Sequence, residues 1–327
     1  YYEQQRNVSV RQGHFSGYLY RLMTTAIPLP YRAFFGKDVD ITHFFNYIIP
    51  PGVAGKRIVT VHDMVYKTFP ETVRGRTRFM LESGLQRSLH RADLIVTDSE
   101  FSKTEIIRYF PATEERIRVV PCGVDKLRFS PMSPAAAPAI EELKRRMHLQ
   151  ANYFLYLGTL EPRKNLDRLI RAYALLKQQH PDAPQLVLAG GYGWRNNHIY
   201  HLVQTLHLED DVLFTEYVPE EDVQPLLCGA MAFVFPSVYE GFGMPPLEAM
   251  ACGTPVLTTR AASLPEVVGD AAVIVDPHHT EDIAQGLEKL FLDAALRERL
   301  QKEGLRRAAM FSWENAAAAL YDVYQEA

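Results

Sequence analysis

Two glutamates separated by seven residues form the strongest chemical signal in the sequence. Glu240 and Glu248 enclose Gly-Phe-Gly-Met-Pro-Pro-Leu and follow an apolar run at 232–235 that is typical of a buried strand. Gly241 and Gly243 allow a ligand to approach the backbone closely, and the two prolines suit the first turn of a helix. The pattern therefore predicts a glycine-rich loop that leads from a strand into a helix.

The helix start in this pattern is a candidate ligand site. Free backbone N–H groups at a helix N-terminus can bind hydroxyls or an anion. Glu248 lies about one turn inside the helix, where its carboxylate would hold a vicinal diol such as a ribose. The alternative is a tight strand-to-helix turn with two solvated carboxylates.

A basic pair forms the second candidate site. Arg163 and Lys164 directly follow the stretch Gly158-Thr-Leu-Glu-Pro, which itself follows an apolar run at 153–157. An arginine binds two phosphate oxygens at once and a lysine adds a compact charge, so the pair could clamp a diphosphate. The alternative is a solvated basic turn.

Polar residues also follow strands of the first half of the chain. His62 and Asp63 follow the run 57–61, where His62 could contact a sugar or an acceptor, although a packed or surface histidine is the alternative. The segment 98–102 also follows a predicted strand, but because a helix begins there it could be only a helix cap. Asp38 and Asp40 come before a predicted strand, whereas ligands of parallel sheets bind beyond the carboxyl ends of strands. We therefore interpret them as structural. No zinc-site spacing and no Walker loop is present, so no metal site is predicted.

Short apolar runs alternate with helical patterns along most of the chain, which predicts parallel sheets covered on both faces. Ligands of such folds bind beyond the carboxyl ends of the strands, where the candidate residues lie. The predicted strands are 41–45, 57–61, 94–97, 118–120, 153–157, 185–189, 212–214, 232–235, 255–258 and 272–275. The predicted helices are 72–90, with Phe79, Leu81, Leu85 and Leu89 as apolar positions, 102–109, capped by Ser102, 140–149, and one capped by Asn165 with apolar residues to Leu176.

The two halves of the chain differ in charge. The first 150 of the 327 residues hold 22 Lys and Arg against 15 Asp and Glu, whereas the remainder holds 13 against 24. This asymmetry indicates two domains with different partners and favours an anionic partner for the basic half. We predict an N-terminal domain at 1–130, a linker and connecting helix at 131–150, a second domain at 151–310, and a C-terminal helix at 311–327.

The composition is that of an ordinary globular protein. No apolar run approaches the 18 or more residues that span a bilayer, and no leader peptide is visible, so we expect a cytoplasmic protein. The sequence has three cysteines, Cys122, Cys228 and Cys252, and none of them belongs to a C-x-x-C pair. This small, odd number favours a reducing compartment without disulfides.

Taken together and in order, these motifs resemble the retaining glycosyltransferase family 4. The matching features are Glu240 with Glu248, the Arg163–Lys164 pair, His62-Asp63, and the segments 92–99, 121–125 and 311–314. The resemblance implies an α/β fold called GT-B, in which two Rossmann-like, doubly wound domains face each other across a cleft. It also implies that 311–327 crosses back to the first domain. Family members usually open with a strand and a glycine-rich loop, and neither is found before Asp40.

The resemblance implies a division of labour at the site. Glu248 would bind the ribose of a nucleoside-diphosphate sugar, and the backbone N–H groups of Phe242, Gly243 and Met244 would bind sugar hydroxyls. Glu240 and His62 would lie beside the sugar, while Arg163 and Lys164, with Gly158 nearby, would hold the diphosphate. Transfer would retain configuration without a metal, a cofactor or a covalent enzyme intermediate.

The segments 62–71 and 92–102 look most like bacterial mannosyltransferases of surface-polysaccharide assembly, such as lipopolysaccharide. This favours GDP-mannose as donor, with a UDP-sugar as the alternative, and a saccharide or lipid-linked saccharide as acceptor. Arginines at 74, 76, 78, 87 and 91 suggest peripheral contact with anionic membrane, and no nucleic-acid partner is expected.

Three other function classes fit parts of the sequence. A GT-B-like sugar-nucleotide epimerase would need no acceptor. A catalytically silent sugar-nucleotide-binding module is disfavoured because Glu240, Arg163, Lys164 and His62 occur together. An NAD-dependent dehydrogenase is disfavoured because no G-x-G-x-x-G follows a strand.

Overall fold

A computed structural model describes residues 30–32, 38–191 and 197–327. The sequence also predicts a loop at 13–17 and a short helix at 18–25, and both lie outside the described residues. The same holds for nearly all of the chain before Asp40, where no first strand or glycine-rich loop was predicted.

The first half of the chain forms a parallel sheet. Its four strands are ordered β1-β2-β3-β4 among the described residues, and every neighbouring pair is parallel. Asp38 and Asp40 precede β1, at the edge opposite His62, as their structural interpretation requires. The strands are β1 (Ile41–Phe44), β2 (Lys56–Thr60), β3 (Leu94–Thr97) and β4 (Ile117–Val119).

Helices cover both faces of this sheet. Residues of α2 and α3 pack on one face with Val59 and Ile95. Val323, near the C-terminus, packs on the other face with Ile58 and Val96. The helices of this half are α1 (Val65–Thr68), α2 (Gly75–Arg91) and α3 (Glu100–Tyr109).

The second half forms a six-stranded parallel sheet ordered β10-β9-β8-β5-β6-β7. The chain runs outward from β5 in one direction and returns to begin again at β8, so the strand order reverses between β5 and β8. Such a switch point opens a crevice at the carboxyl ends of the two strands. The strands are β5 (Tyr153–Leu157), β6 (Gln185–Ala189), β7 (Val212–Glu216), β8 (Ala232–Phe235), β9 (Val256–Thr259) and β10 (Ala272–Val275).

Nine further helices complete the described chain. They are α4 (Ala137–Arg146), α5 (Leu166–Gln179), α6 (Asn197–Thr205), α7 (Glu220–Cys228), α8 (Met244–Ala251), α9 (Leu264–Val268), α10 (Thr280–Leu292), α11 (Ala294–Ala309) and α12 (Trp313–Glu326). The helix α12 packs on the first sheet: Val323 is buried there, and the Tyr324 hydroxyl lies 2.8 Å from His43 Nδ1 of β1. The domain boundaries themselves stay a prediction.

Two predicted helix caps are wrong. Ser99, not Ser102, caps α3, because the side chain of Ser99 accepts a hydrogen bond from the Ser102 N–H at 3.0 Å. Asn165 precedes α5 with a left-handed backbone, and its side chain makes no cap. Its amide donates instead to the carbonyls of Pro236 and Pro277, and thereby ties together loops that follow β8 and β10.

One prediction about burial also needs correction. Phe79 was expected on the apolar face of α2 but is 71% exposed, while Leu81, Leu85 and Leu89 are buried. The predicted linker is largely exposed between 131 and 139, and in the charged helix that follows, Leu143 is buried in the core of the second half.

Candidate active site

The basic pair and the first glutamate meet at the switch point of the second sheet. Arg163 and Lys164 follow β5, and Glu240 follows β8, so the two loops share the same crevice. Lys164 Nζ lies 2.7 Å from Glu240 Oε1, and Arg163 Nη1 lies 2.8 Å from Glu240 Oε2. One carboxylate is thus bound by two cations.

The Glu240–Lys164 pair is nearly inaccessible to solvent, whereas the Arg163 side chain is 24% exposed. Glu240 is 7% exposed and Lys164 6%, and Lys164 Nζ also lies 4.7 Å from the centre of the Phe235 ring. Burial alone would raise the pKa of Glu240, but the charges of Lys164 and Arg163 outweigh it and lower the pKa. The carboxylate is therefore ionised. Arg163 Nε also lies 3.2 Å from Glu161 Oε2, so two carboxylates share the two cations.

Glycines bring the loops after β5 and β6 into close contact. Gly158 has φ 153° and Gly190 has φ 148°, a region that L side chains rarely adopt. A Cβ on Gly190 would collide with the carbonyl of Gly158. The backbone at Gly158 is therefore packed tightly at the mouth of the crevice.

The loop after Glu240 presents unpaired donors. Ser263 Oγ donates to the carbonyls of Glu240 and Phe242, at 2.9 and 2.7 Å, which fixes the path of the loop. Gly243 has φ 115° and precedes α8, whose first turn contains prolines as predicted. Within the described residues, no acceptor is found for the N–H groups of Phe242, Gly243 and Met244. These N–H groups can therefore bind a ligand oxygen.

Glu248 lies one turn into α8 and is only partly exposed. Burial raises its pKa to about 7, although the charge of Arg128 opposes the shift. No side-chain partner for Glu248 exists within the described ranges. A half-buried carboxylate without a partner is suited to accept hydrogen bonds from a ligand diol.

His62 is held between two acceptors. Its Nδ1 lies 2.8 Å from Asp98 Oδ2, and its Nε2 lies 2.9 Å from the carbonyl oxygen of Phe45. Both nitrogens can donate only in the imidazolium form, and the hydrogen bond to Asp98 raises the pKa of His62 in spite of its burial. Both contacts therefore favour the protonated form of His62, at the carboxyl end of β2.

His62 lies against the loop that carries Glu240. A Cβ on Gly241 would come within 2.5 Å of the His62 carbonyl oxygen, so only glycine fits at this contact. The N–H of Met64 donates to the Tyr239 hydroxyl at 3.0 Å. The structure therefore brings together His62, Glu240, Arg163 and Lys164 from both halves of the chain.

A small cavity adjoins this cluster. Its volume is about 240 Å³, and Arg163 forms part of its wall. Residues from the first half form most of the remainder: Val65, Thr72, Val73, Arg74 and Thr77, with Glu161 from the second half.

Two site residues, Ser263 and Glu266, follow β9 and carried no recognisable signal in the sequence. Ser99 and Ser102, at the start of α3, belong to the segment 98–102, whose alternative interpretation was a helix cap. Their positions after strands could have marked them, but serines at such places are usually caps. Their partners are in the other loops, which a linear pattern does not show.

In the described ranges, no cluster of three or more His, Cys, Asp or Glu could hold a metal ion. None of the described helices has the length and hydropathy that crossing a bilayer requires. The three cysteines are not paired in disulfides.

The two parallel α/β halves and the site between them define a glycosyltransferase of the GT-B architecture. Residues 141–307 match glycosyl transferases group 1, and residues 2–128 match glycosyltransferase family 4. The chain belongs to this family of glycosyltransferases.

Curated relatives and solved structures agree with this assignment. O-antigen chain mannosyltransferase B of Escherichia coli is 38% identical over 87% of this chain and 74% of that protein. Serotype-specific mannosyltransferase WbdA of Escherichia coli is 32% identical over 81% of this chain, which spans about a third of WbdA (33%). A glycosyltransferase from Rickettsia africae ESF-5 has the same fold, with a TM-score of 0.71 and 18% identity over 98% of this chain and 84% of that one.

Proposed function

We propose that this glycosyltransferase transfers mannose from GDP-mannose to a saccharide acceptor during surface-polysaccharide assembly, with retention of configuration. The observation that carries the donor site is the buried cluster of Arg163, Lys164 and Glu240 beside the unpaired N–H groups of Phe242–Met244. The similarity to an O-antigen chain mannosyltransferase supports mannose as the transferred sugar.

The cluster offers two cations to a diphosphate. Arg163 and Lys164 are paired with Glu240, and Arg163 is also paired with Glu161, in the absence of a donor. Donor phosphate oxygens would share these cations with Glu240, while Glu248 accepts hydrogen bonds from the ribose diol. As the bond from the anomeric carbon to the diphosphate breaks, the cations stabilise the growing negative charge.

The acceptor hydroxyl would attack the anomeric carbon on the face that the diphosphate leaves, and its proton would pass to the departing phosphate oxygen. Glu240 would stabilise positive charge on the sugar ring. The cavity of about 240 Å³ beside Arg163 offers room for an acceptor group. Closure of the two halves over this site would exclude water and limit hydrolysis.

Nucleotide preference tests the donor. GDP should raise the melting temperature more than UDP at equal concentration, because the tighter ligand stabilises the folded protein more. Incubation of GDP-mannose with acceptor should then yield a product whose anomeric configuration, measured by NMR, matches the donor. A larger rise in melting temperature with UDP would indicate that the donor is a UDP-sugar and not GDP-mannose. Conversion of a donor without any acceptor would favour an epimerase.

Chelation tests metal independence. Because Arg163 and Lys164 supply the positive charge at the diphosphate site, transfer should persist in EDTA. Activity that disappears in EDTA and returns with Mn²⁺ would contradict the role of these cations.

We also propose that α2 contacts anionic lipid, where a lipid-linked acceptor would be presented. Arg74, Arg76 and Arg78 are exposed at the start of this helix, and Phe79 beside them is 71% exposed. Arg87 is exposed as well, whereas Arg91 is held by the Ile49 carbonyl at 2.9 Å. Each arginine near the surface contributes about 1 kcal/mol of attraction, and an exposed aromatic ring favours the interface.

Liposome sedimentation with and without anionic lipid tests this contact. Replacement of arginines 74, 76 and 78 by serine should reduce sedimentation with anionic vesicles. The matched control replaces Arg299, Lys302 and Arg306 of α11, which are also exposed and change the net charge equally. Equal losses in both variants would indicate a net-charge effect and contradict a docking surface on α2.

A further inference from the structure

The first turn of α3 binds a side chain from the other half of the chain. The N–H groups of Glu100 and Phe101 donate to the two carboxylate oxygens of Glu266, at 2.9 and 2.6 Å. Glu266 belongs to α9, which follows β9 of the second sheet. The first N–H groups of a helix have no intrahelical acceptor and carry partial positive charge, so this carboxylate satisfies both groups at once.

The same turn binds the loop that carries Glu240. Ser99 Oγ donates to the Gly241 carbonyl at 2.7 Å, and Ser102 Oγ lies 3.0 Å from that carbonyl and 3.0 Å from the carbonyl of His62. Both serines are buried. Because Gly241 directly follows Glu240, these hydrogen bonds set the position of Glu240 relative to the first half.

Hydrogen bonds from Arg307 hold the helix that carries Glu266 in place. Arg307 of α11 donates through Nε to the Val267 carbonyl at 2.8 Å, and its guanidinium also bonds the carbonyl of Glu266. The helix α9 has only five residues, so it depends on such contacts for its orientation.

We propose that Glu266 is a positioning residue for catalysis. Its carboxylate clamps α3 to the second half, and the clamped turn holds Gly241 so that Glu240 and His62 face the same donor. The clamp must release when the two halves separate, and it re-forms when they close. This inference rests on the proposed function, because it takes Glu240 as the group beside the donor sugar.

Steady-state kinetics of Glu266→Gln and Glu266→Ala test the clamp. The kcat should fall roughly tenfold in Glu266→Ala and less in Glu266→Gln, which keeps one acceptor oxygen. The Kd of GDP, measured by calorimetry, should stay within about twofold, because the donor groups lie in the second half. Glu281→Gln is the matched control: Glu281 is an exposed glutamate in the first turn of α10, in the same half.

Hydrogen exchange gives a readout that does not need turnover. The amides of Glu100 and Phe101 should exchange faster in both Glu266 variants, while amides in the second sheet keep their wild-type rates. Unchanged exchange at these amides, or wild-type kcat in Glu266→Ala, would overturn the proposal. Because exchange is independent of chemistry, failure of wild-type mannose transfer would refute the proposed function separately.

A second variant reaches the same contact from the other side. In Gly241→Ala, which leaves Glu266 unchanged, the new Cβ would lie 2.5 Å from the His62 carbonyl oxygen. The two halves could therefore not close fully. This variant should also lower kcat and accelerate exchange at Glu100 and Phe101. If kcat falls in Glu266→Ala but exchange in Gly241→Ala is that of the wild type, the two contacts are not coupled and the clamp is refuted.

Discussion

Lys164 Nζ lies 2.7 Å from a carboxylate oxygen of Glu240, and both side chains are almost completely buried. A buried pair of this kind stabilises the fold only as a pair, because either charge alone in a low-dielectric environment is costly. Glu240 therefore holds the two cations in place in the absence of a donor, and it lies where the sugar of the proposed donor would bind.

Neutralisation of Glu240 should affect catalysis more than donor binding. Its carboxylate would gain interaction as positive charge develops on the sugar, so Glu240→Gln should lower kcat by about 10²–10³ with a smaller change in the donor KM. Steady-state kinetics with saturating acceptor measures both constants. Glu221→Gln, at an exposed glutamate in the first turn of α7, is the control. Wild-type kcat in Glu240→Gln would show that the cluster is only structural.

Truncation of Glu240 should also destabilise the fold. Glu240→Ala leaves Lys164 and Arg163 without their shared carboxylate, and loss of one partner of a buried pair costs about 3–5 kcal/mol. Urea unfolding of the wild type, Glu240→Gln and Glu240→Ala measures this cost. A free energy of unfolding within about 1 kcal/mol of the wild type in Glu240→Ala would contradict the buried ion cluster.

Glu248 should behave differently from Glu240 in kinetics. It would hold the ribose equally in the ground state and the transition state, so Glu248→Ala should raise the donor KM and leave kcat nearly unchanged. The reverse pattern, in which Glu248→Ala abolishes kcat while Glu240→Gln only weakens donor binding, would invert the two roles.

The ionised carboxylate of Glu248 should lower the free energy of unfolding at neutral and alkaline pH. Burial raises its pKa from 4.5 to about 7, so between these values the unfolded chain releases the proton and the folded chain keeps it. The contribution of Glu248 to stability is therefore full below pH 4.5 and lost as pH rises through 7, a change of about 3 kcal/mol. Glu248→Gln should increase the free energy of unfolding at pH 8 and change it little at pH 5. Equal effects at both pH values would contradict the raised pKa.

The pair of His62 and Asp98 should control the pH dependence of activity. The hydrogen bond from Nδ1 to Asp98 raises the pKa of His62, so the imidazolium persists to higher pH than usual. Asp98→Asn should lower that pKa and move the alkaline limb of the kcat/KM profile to lower pH. NMR titration of the His62 ring measures the same shift directly. An unchanged titration of His62 in Asp98→Asn would rule out this coupling.

Much of the fold could be predicted from local patterns. Runs such as 94–97 and 232–235 became strands with the predicted bounds, because short, continuous apolar runs between turn residues are typical of strands in a sheet covered on both faces. The errors concern contacts beyond a few residues. Asn165 looked like a cap, yet its amide is drawn to carbonyls of two distant loops, and Phe79 fitted a helical period but faces solvent.

The sequence by itself determined the chemical groups of the site and the loops that carry them, because residue type, glycine position and the strand before each loop are local properties. Only the tertiary structure decided which groups face one another. The strand order places β5 next to β8, and this pairing brings Arg163 and Lys164 to Glu240 across 77 and 76 positions of chain. Likewise, the seating of Glu266 on the first turn of α3 depends on how the two sheets are oriented, and no spacing along the chain encodes that orientation.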